Sequence, residues 1–303
     1  MVNQSGVMSG EGNPGLDGRA WRADGLNMRK FALLLLGLLP SCSQLVVPGE
    51  GRPIAGKKEA MAVMEKSAKA VGDPWSRYRK VEVAYDGEWT GIAKRVQPDL
   101  VDADFRKASV ETYETRTQVV KQLHKGPGGT KSVVRRPGDV AVVYNGESET
   151  EADQVTREAA ALVADAYTAF LFGSSWLKET GRDFELLEAE ELDGEMCDRV
   201  QGRLVPGFGF SEGDRFIAWV GRESRWLRRL QFTINGLEST RGADVEVRFL
   251  EHWKAVDGSV WPGRFVEWVE RPLHVKAHEW WMTGLKADGR SLKGVGNPSD
   301  KSR

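Results

Sequence analysis

Alternating apolar and polar residues dominate the chain from Arg79 onward. In the segment 229–234, Leu230, Phe232 and Ile234 alternate with polar side chains. Period-two alternation predicts a strand with one buried and one solvated face, as in an antiparallel sheet. Strands of this kind are predicted at 79–85, 108–124, 130–144, 183–192, 195–205, 215–220, 225–234, 244–253, 260–270 and 273–283.

Short turn sequences lie between most of these strands. Two-residue turns containing glycine are a strong hairpin signal, because glycine accepts the positive φ that such turns require. They occur at Asp86-Gly87, Asn145-Gly146, Asp193-Gly194, Asn235-Gly236 and Asp257-Gly258. Gly126-Pro-Gly-Gly129 predicts a further hairpin turn, since it lacks the Gly-Lys-Ser/Thr of a phosphate-binding loop.

Two segments have helical periodicity instead. Lys57 to Val71 repeats apolar residues at helical spacing before Gly72, which predicts a helix lying on a larger surface. A second helix is predicted from the capping box at 148–151 to Phe172. Its second half is apolar nearly all round and must be buried on more than one side. It either fills the concave side of a curved sheet or also lines a ligand cavity.

These elements predict a single α+β domain over residues 57–285. About ten antiparallel strands would curl around the long helix. The polar, glycine-rich segment 286–303 is predicted to be a flexible C-terminal tail.

The N-terminal segment predicts export. Arg29 and Lys30 precede the nine uncharged residues 31–39, whereas a bilayer-spanning helix needs about 20 apolar residues. A short apolar run with a basic flank is typical of a signal peptide, here residues 1–41.

The start of translation is a separate question. Residues 1–27 are polar and glycine-rich and delay the basic stretch, which favours Met28 as the true start. The alternative is an unusually long segment before the apolar run.

The end of the apolar run, Leu39-Pro-Ser-Cys42, resembles the bacterial lipobox. In that motif the cysteine is lipidated and becomes the first mature residue, so Cys42 is the predicted lipidation site and membrane anchor. An ordinary signal peptide with a nearby cysteine is the alternative. Residues 42–56 are predicted to form a mobile tether. Ser43 favours an outer-membrane lipoprotein facing the periplasm, with the leaflet left open.

Composition narrows the function classes. The 303 residues carry 43 Lys+Arg against 44 Asp+Glu, a formal net charge of -1. This balance removes the broad attraction on which non-specific nucleic-acid binding depends, so no nucleic-acid partner is expected. If Cys42 is lipidated, Cys197 has no partner for an intramolecular disulfide and is predicted to be a packed small side chain. A monomer is expected.

The order of elements resembles the LolA/LolB-like superfamily, which also includes mycobacterial lipid-carrier lipoproteins. The resemblance covers residues 57–285 and rests on the lipobox, the helix ending at Gly72, the strand running into Asp86-Gly87, and later strands and turns. Those later segments are Leu192–Val200, Phe216–Val220, Trp226–Leu230 and Asp257–Pro262. The resemblance implies a half-open β-barrel with a helix-lidded hydrophobic cavity that binds acyl chains or lipidated proteins. The loops at 95–107 and 206–214 have no counterpart in that pattern.

Aromatic residues are the candidate ligand contacts. Aromatic side chains on the inner face of an open barrel offer a large apolar area, and ligand cavities are mostly apolar. Packing in the core of the sheet is the alternative for each residue. The candidates are Phe170, Phe172, Trp219, Trp226, Trp253, Trp268 and Trp280. Trp280 and Trp281 are adjacent in one predicted strand and must face opposite sides.

No metal or catalytic site is expected. His274 and His278 would be about 13 Å apart in a strand, too far for two ligands of one zinc ion. Asp99, Asp102 and Asp104 lack the glycine and spacing of a calcium loop. No nucleophile elbow is present, and no carboxylate pair stands out as general acid and base. No cofactor is predicted.

Three functions are compatible with this sequence. The first is an envelope-anchored lipoprotein that binds an acyl chain, a lipid or a lipidated protein without catalysis. The second is a sensing or interaction module of the same fold that recognises a protein partner. The third is an exported hydrolase whose catalytic residues the sequence does not reveal. A hollow on the concave side of the sheet would favour the first.

Overall fold

The computed structural model describes residues 45–47, 49–147, 152–271 and 274–292. The predicted signal peptide, Cys42 and the capping box at 148–151 lie outside these residues. The helices of the described part are α1 (Lys57–Ala70), α2 (Pro74–Arg77), α3 (Gly91–Val96), α4 (Pro98–Val101), α5 (Gln154–Phe172) and α6 (Ser174–Thr180). Helix α1 confirms the helix predicted over 57–71, and α3 and α4 occupy part of the predicted loop at 95–107.

The strands belong to one sheet of 13 strands, more than the ten predicted. They are β1 (Lys80–Trp89), β2 (Ala108–Glu114), β3 (Val119–Gly126), β4 (Gly129–Arg136), β5 (Asp139–Tyr144), β6 (Gly181–Leu192), β7 (Glu195–Leu204), β8 (Asp214–Gly221), β9 (Leu227–Thr233), β10 (Asp244–Lys254), β11 (Val260–Arg271), β12 (Val275–Ala287) and β13 (Arg290–Ser291).

The sheet is antiparallel throughout and remains open. Its strand order is β5-β4-β3-β2-β1-β12-β11-β10-β9-β8-β7-β6, with β13 added to β12. Strands β5 and β6 are therefore the two edges, and α5 and α6 connect them along the chain. This arrangement confirms the predicted fold class, an open, curved antiparallel sheet with a long helix on its concave side.

Helix α5 fills the concave side because its sequence leaves almost no polar face. Every residue from Ala159 to Phe172 except Asp165 is buried. Phe170 packs against Phe232 and Phe265 of the sheet, with ring centroids 5.7 and 5.5 Å apart. The interior of the half-barrel is therefore mostly packed side chains, as the simpler of the two interpretations of this helix expected.

The two faces of the sheet carry separate cores. On β8, Phe216 and Ala218 belong to the main core on the concave side, whereas Ile217 and Trp219 pack on the convex side. Trp280 is fully buried and its neighbour Trp281 is half-buried, in agreement with opposite orientations. One face thus supports α5, and the other is available for a different contact.

The turn predicted at Asp86-Gly87 is wrong, because β1 continues through it to Trp89. Gly87 pairs with Trp280 of β12. The glycine is required here for space: a Cβ at position 87 would lie 2.3 Å from Cδ2 of Trp280. The close approach of an indole, and not a reversal of the chain, explains the glycine.

Two long predicted strands are in fact hairpins. The segment 108–124 divides into β2 and β3, which reverse through Gln118 at a φ of 55°. The segment 130–144 divides into β4 and β5 at Pro137-Gly138, where Gly138 has a φ of 78°. The first turn lacks both glycine and proline, so its sequence gives no turn signal.

Three further boundaries differ from the predictions. Asp153 caps α5 by accepting a hydrogen bond from the Thr156 amide at 2.8 Å, five residues beyond the start of the predicted capping box. Asn235-Gly236 lies in a longer connection that contains a 3-10 turn, Glu238–Thr240. Strand β12 runs past the expected start of the tail at 286 to Ala287.

The predicted tether contacts the domain at a few points. Leu45 is 3% exposed and packs on the convex side with Ile217, Trp219 and Cys197. Its carbonyl accepts a hydrogen bond from Arg215 at 2.6 Å. Farther along the chain, Ala55 bridges to Leu186 of edge strand β6. The described part of this segment therefore contacts the domain at Leu45 and Ala55, and the mobile tether over 42–56 stays a prediction.

Candidate ligand-binding cleft

A cleft of about 340 Å³ lies on the open side of the half-barrel. One wall is formed by the β2–β3 and β4–β5 hairpins, and the other by the end of β7 and the loop 205–208. Helices α5 and α6 supply its base through Thr168 and Trp176. Its volume falls within the range of small-molecule sites, which runs from about 300 to 1,000 Å³.

Four aromatic side chains dominate the lining: Trp75, Tyr113, Trp176 and Phe208. Trp176 and Phe208 stack with ring centroids 6.3 Å apart. Trp75 and Tyr113 both meet Phe172 edge to face, at 5.0 and 5.5 Å. These contacts hold the rings in place. Trp75, Tyr113 and Phe208 are buried and Trp176 is half-buried, so Trp176 offers most of the aromatic surface in the cleft.

An ion pair crosses the base of the cleft. Arg135 of β4 lies with Nη2 2.9 Å from Oδ2 of Asp165 on α5. The same guanidinium donates to the carbonyl of Gly209 at 2.8 Å, and the Gly209 amide donates to Asp165 at 2.8 Å. Burial raises the pKa of Asp165, and its hydrogen bonds with Arg135 oppose that rise. The pair ties β4, α5 and the loop after β7 together.

Charged side chains of both signs surround the mouth. Arg136, Arg182 and Glu179 are exposed, and Glu114 is half-buried. The described lining includes no histidine or cysteine. Of its three carboxylates, Glu114 is engaged by Lys121, Asp165 by Arg135, and Glu179 accepts a hydrogen bond from the Ser76 hydroxyl. The arrangement suits binding of an apolar group with a polar end better than nucleophilic or acid–base chemistry.

The aromatic residues predicted from the sequence lie elsewhere. Phe170, Phe172 and Trp280 are buried in the core between α5 and the sheet, and Trp253 is buried at its margin. Phe170 and Phe172 also line a smaller cavity of about 30 Å³.

The remaining three candidates are apart from both cavities. Trp219 lies on the convex side between the guanidinium groups of Arg199 and Arg229, at 5.1 and 4.7 Å from its ring. Trp226 stacks on His252 and Trp268 on His274, with centroids 4.6 and 4.9 Å apart. Ligand binding by the seven candidates stays a prediction.

The cleft residues were missed because they occur at the ends of elements. Trp75 lies in the short α2 and Tyr113 lies near the end of β2. Trp176 lies in the short α6, and Phe208 lies in the loop after β7. Local periodicity does not show which ends meet in space. One signal in the sequence was Phe208, a large apolar residue in the polar loop 206–214. Exposed loops rarely carry phenylalanine without a packing partner.

The histidines considered for metal binding are separated by the sheet. His274 is exposed, whereas His278 is buried with Nε2 2.8 Å from Glu267. Asp102 pairs with Lys131 at 2.7 Å and accepts a hydrogen bond from Tyr144 at 2.8 Å. Within residues 45–292 as described, no three His, Cys, Asp or Glu side chains cluster as a metal site would require.

The described helices can be compared with the length and hydropathy that a membrane-spanning helix requires. None of their helices is by itself long and apolar enough to cross a bilayer. Helices α5 and α6 meet that test only together, across a bend of 118°.

Comparison with solved structures finds several proteins of similar fold at low sequence identity. A LolA superfamily protein from Nitrosomonas europaea is 12% identical, with a TM-score of 0.48, over 75% of this chain and 93% of that one. A DUF1329 family protein from Desulfovibrio piger is 14% identical, with a TM-score of 0.41, over 78% and 94%. A domain assigned to outer membrane lipoprotein sorting, from Vibrio parahaemolyticus, is 11% identical, with a TM-score of 0.39, over 80% and 96%.

These likenesses concern the fold alone, and membership of the LolA/LolB-like superfamily stays a prediction. No family model matches the sequence, and neither does any curated protein.

Proposed function

We propose that this protein is an envelope-anchored lipoprotein that binds a hydrophobic ligand in the cleft without catalysis. The observation that carries the proposal is the cleft of about 340 Å³, whose lining combines apolar and aromatic residues with charged side chains. An acyl chain seated there would remove apolar surface from water, at about 25 cal/mol per Å². The ligand class is an acyl chain, a lipid or the lipidated end of a protein.

The anchor is Cys42, whose acyl chains would hold the domain at the outer membrane on its periplasmic side, as a monomer. Lipobox-like Leu39-Pro-Ser-Cys42 supports this part of the proposal. Labelled palmitate supplied to growing cells should be incorporated into the protein and should be absent from Cys42→Ala. Equal labelling of the two proteins would contradict the anchor while leaving the cleft proposal untouched.

Ligand binding is tested with the unlipidated full chain, Cys42→Ala. Solvent extraction and mass spectrometry should recover an acyl-containing molecule from it. The variant Val205→Trp places an indole at the mouth of the cleft and should lose that molecule. Val256→Trp is the matched control, because Val256 is 67% exposed on the β10–β11 turn, away from the cleft. Equal lipid content in both variants would contradict the proposal.

A protein-binding function is the second candidate, and one observation favours it. Val110 and Leu123 face each other across β2 and β3 on the convex side and are 52% and 38% exposed. Paired exposed apolar side chains on a sheet are a typical element of protein contacts. Crosslinking in cells from position 110 should recover one protein if this function is correct, and lipid analysis should then find the cleft empty of acyl groups.

A further inference from the structure

A second polar site lies inside the half-barrel, at the end covered by α3 and α4. We name it the Arg106 pocket after its central residue. Leu100 of α4, Arg106, Gln122 and His124 of β3, and Lys131 of β4 enclose it. Except for Leu100, these side chains are polar and belong to residues no more than 3% exposed. A group of buried polar residues on the inner face of an apolar half-barrel requires an explanation.

Arg106 is the most unusual member. Its residue is 2% exposed. The guanidinium donates to the Leu100 carbonyl at 2.7 Å and to the Tyr167 hydroxyl at 2.9 Å, and it lies over the ring of Trp89 at 4.8 Å. All of these partners are neutral. No carboxylate of the described residues lies within 4 Å of this guanidinium, although a buried charge is costly without a counterion.

The two nearest acids are already engaged. Asp102 pairs with Lys131 at 2.7 Å. Glu111 accepts hydrogen bonds from the hydroxyls of Ser109, at 2.8 Å, and Tyr113. Burial also raises the pKa of Glu111, which favours its neutral form. Arg106 therefore has no directly paired carboxylate among the described residues, although its charge interacts at longer range with the Glu111 carboxyl.

Unpartnered polar atoms converge on the same place. Nε of Arg106 and Nδ1 of His124 are buried without a hydrogen-bond partner among the described residues. The Gln122 amide is buried as well, and its interaction with the Glu111 carboxyl lacks the geometry of an ordinary hydrogen bond. The space that they enclose is narrower than a water molecule. Buried polar atoms that lack partners in one place require an explanation, and a bound ion is one of those available.

We propose that the Arg106 pocket binds an oxyanion, either the carboxylate or phosphate of an amphiphile or a free ion. The guanidinium provides the charge and a free Nε–H donor, and the Gln122 amide provides a further donor. Such hydrogen bonds to an ionised oxygen are about twice as strong as neutral ones. The apolar part of an amphiphile would lie along Val133 and Val163, which complete the lining.

Entry requires a small displacement of α4. Helix α3 buries no side chain, and α4 buries only Val101. Leu100 is half-buried and is the wall residue on this helix. Little apolar contact is therefore lost when this segment moves away from the pocket, and the main cost is the hydrogen bond from Arg106 to the Leu100 carbonyl and the ion pair of Asp102 with Lys131.

The test is isothermal titration of the full chain carrying Cys42→Ala with four probes: decanoate, decyl phosphate, decanol and inorganic phosphate. The two anionic amphiphiles should bind at least about ten-fold more tightly than decanol. If inorganic phosphate binds as tightly as decyl phosphate, the oxyanion site is confirmed and its ligand is the free ion. If decanol equals decanoate, the proposal is overturned.

Substitutions show which residues produce the preference for anionic amphiphiles over decanol. Gln122→Met keeps the side-chain length and should reduce the preference for the anion by at least about five-fold. Gln201→Met is the matched control, because Gln201 is also fully buried with an unpartnered Oε1 but lies on the convex side of β7. Arg106→Lys removes the planar set of guanidinium N–H donors. It is the variant to use if Gln122→Met does not fold. An undiminished preference in a folded Gln122→Met or Arg106→Lys would contradict the proposal.

The test of the Arg106 pocket can be separated from the test of ligand binding in the cleft. Val205→Trp should leave the preference for the anion unchanged, since Val205 lines the cleft and not the Arg106 pocket. Loss of the preference in Val205→Trp would place the oxyanion in the cleft and overturn the assignment to the Arg106 pocket.

Discussion

Gly87 of β1 lies directly beneath the indole of Trp280 on β12. A Cβ at position 87 would come within 2.3 Å of Cδ2 of Trp280, which is itself fully buried. The substitution Gly87→Ala should therefore force the core apart and lower the free energy of unfolding by about 1–3 kcal/mol. Urea denaturation measures this.

The neighbouring strand offers a matched control for that prediction. Gly284 of β12 pairs with Ala84 of β1, and a Cβ there would meet only Cβ of Ala84 at an ordinary 3.6 Å. Gly284→Ala should change stability by no more than about 0.5 kcal/mol. Equal losses from the two substitutions would show that strand propensity, and not the indole contact, decides the cost.

The ion pair at the base of the cleft should be essential for stability. In Arg135→Met, Asp165 loses its cation while its side chain is only 22% exposed. Removing one partner of a buried pair costs about 3–5 kcal/mol, and we expect the lower end because Asp165 can take up a proton. Arg241→Met is the control: its pair with Glu238 is highly exposed and should contribute less than about 1 kcal/mol. Indistinguishable unfolding midpoints would contradict this role.

Acid should destabilise the fold partly through His252. Burial lowers the pKa of His252 from 6.5 to about 4. The unfolded chain binds the proton more readily than the folded protein does. The stability associated with neutral His252 is therefore fully present above pH 6.5 and is lost as the pH falls towards 4. Between pH 7 and 4.5 the loss is about 2 kcal/mol.

His252→Phe should abolish that part of the pH dependence. The variant keeps a ring against Trp226, whose centroid lies 4.6 Å from that of His252. His274→Phe, at an exposed histidine stacked on Trp268, is the control and should retain the wild-type slope. Unfolding free energies at the two pH values decide between them, and identical slopes in wild type and His252→Phe would contradict the prediction.

The docked N-terminal segment makes a prediction about hydrogen exchange. The Leu186 amide donates to the Ala55 carbonyl at 2.8 Å, beyond the anchor point at Leu45. Leu45→Asp should release the segment and accelerate exchange at the Leu186 amide by at least about ten-fold. Val46→Asp, at a residue 41% exposed, should leave it unchanged. Fast exchange at Leu186 in the wild type would contradict docking.

Sequence periodicity was sufficient to predict helices and strands whose hydrophobic pattern is determined locally. Strand β9 was predicted within two residues because Leu230 and Phe232 alternate with polar neighbours. Helix α5 was predicted because few segments are apolar on every side. By contrast, the β2–β3 turn places Gln118 at positive φ without glycine or proline, a conformation imposed by the pairing of the flanking strands.

The candidate site was less accessible to sequence reasoning. Trp75 and Phe208 are separated by more than a hundred residues and meet at the cleft only because the chain crosses from one edge of the sheet to the other. The tryptophans chosen from the sequence lie in or next to strands, where burial in the core or ring contacts with neighbouring side chains account for them. Open sheets place ligands at their edges and ends, which a one-dimensional pattern does not reveal.

The most direct test of the central claim is a titration of the unlipidated full chain with a fluorescent fatty acid. We expect saturable binding at one site per chain, weakened at least about ten-fold by Val205→Trp and unchanged by Val256→Trp. Absence of saturable binding, or equal affinity in Val205→Trp and the wild type, would contradict the assignment of this cleft as the ligand-binding site.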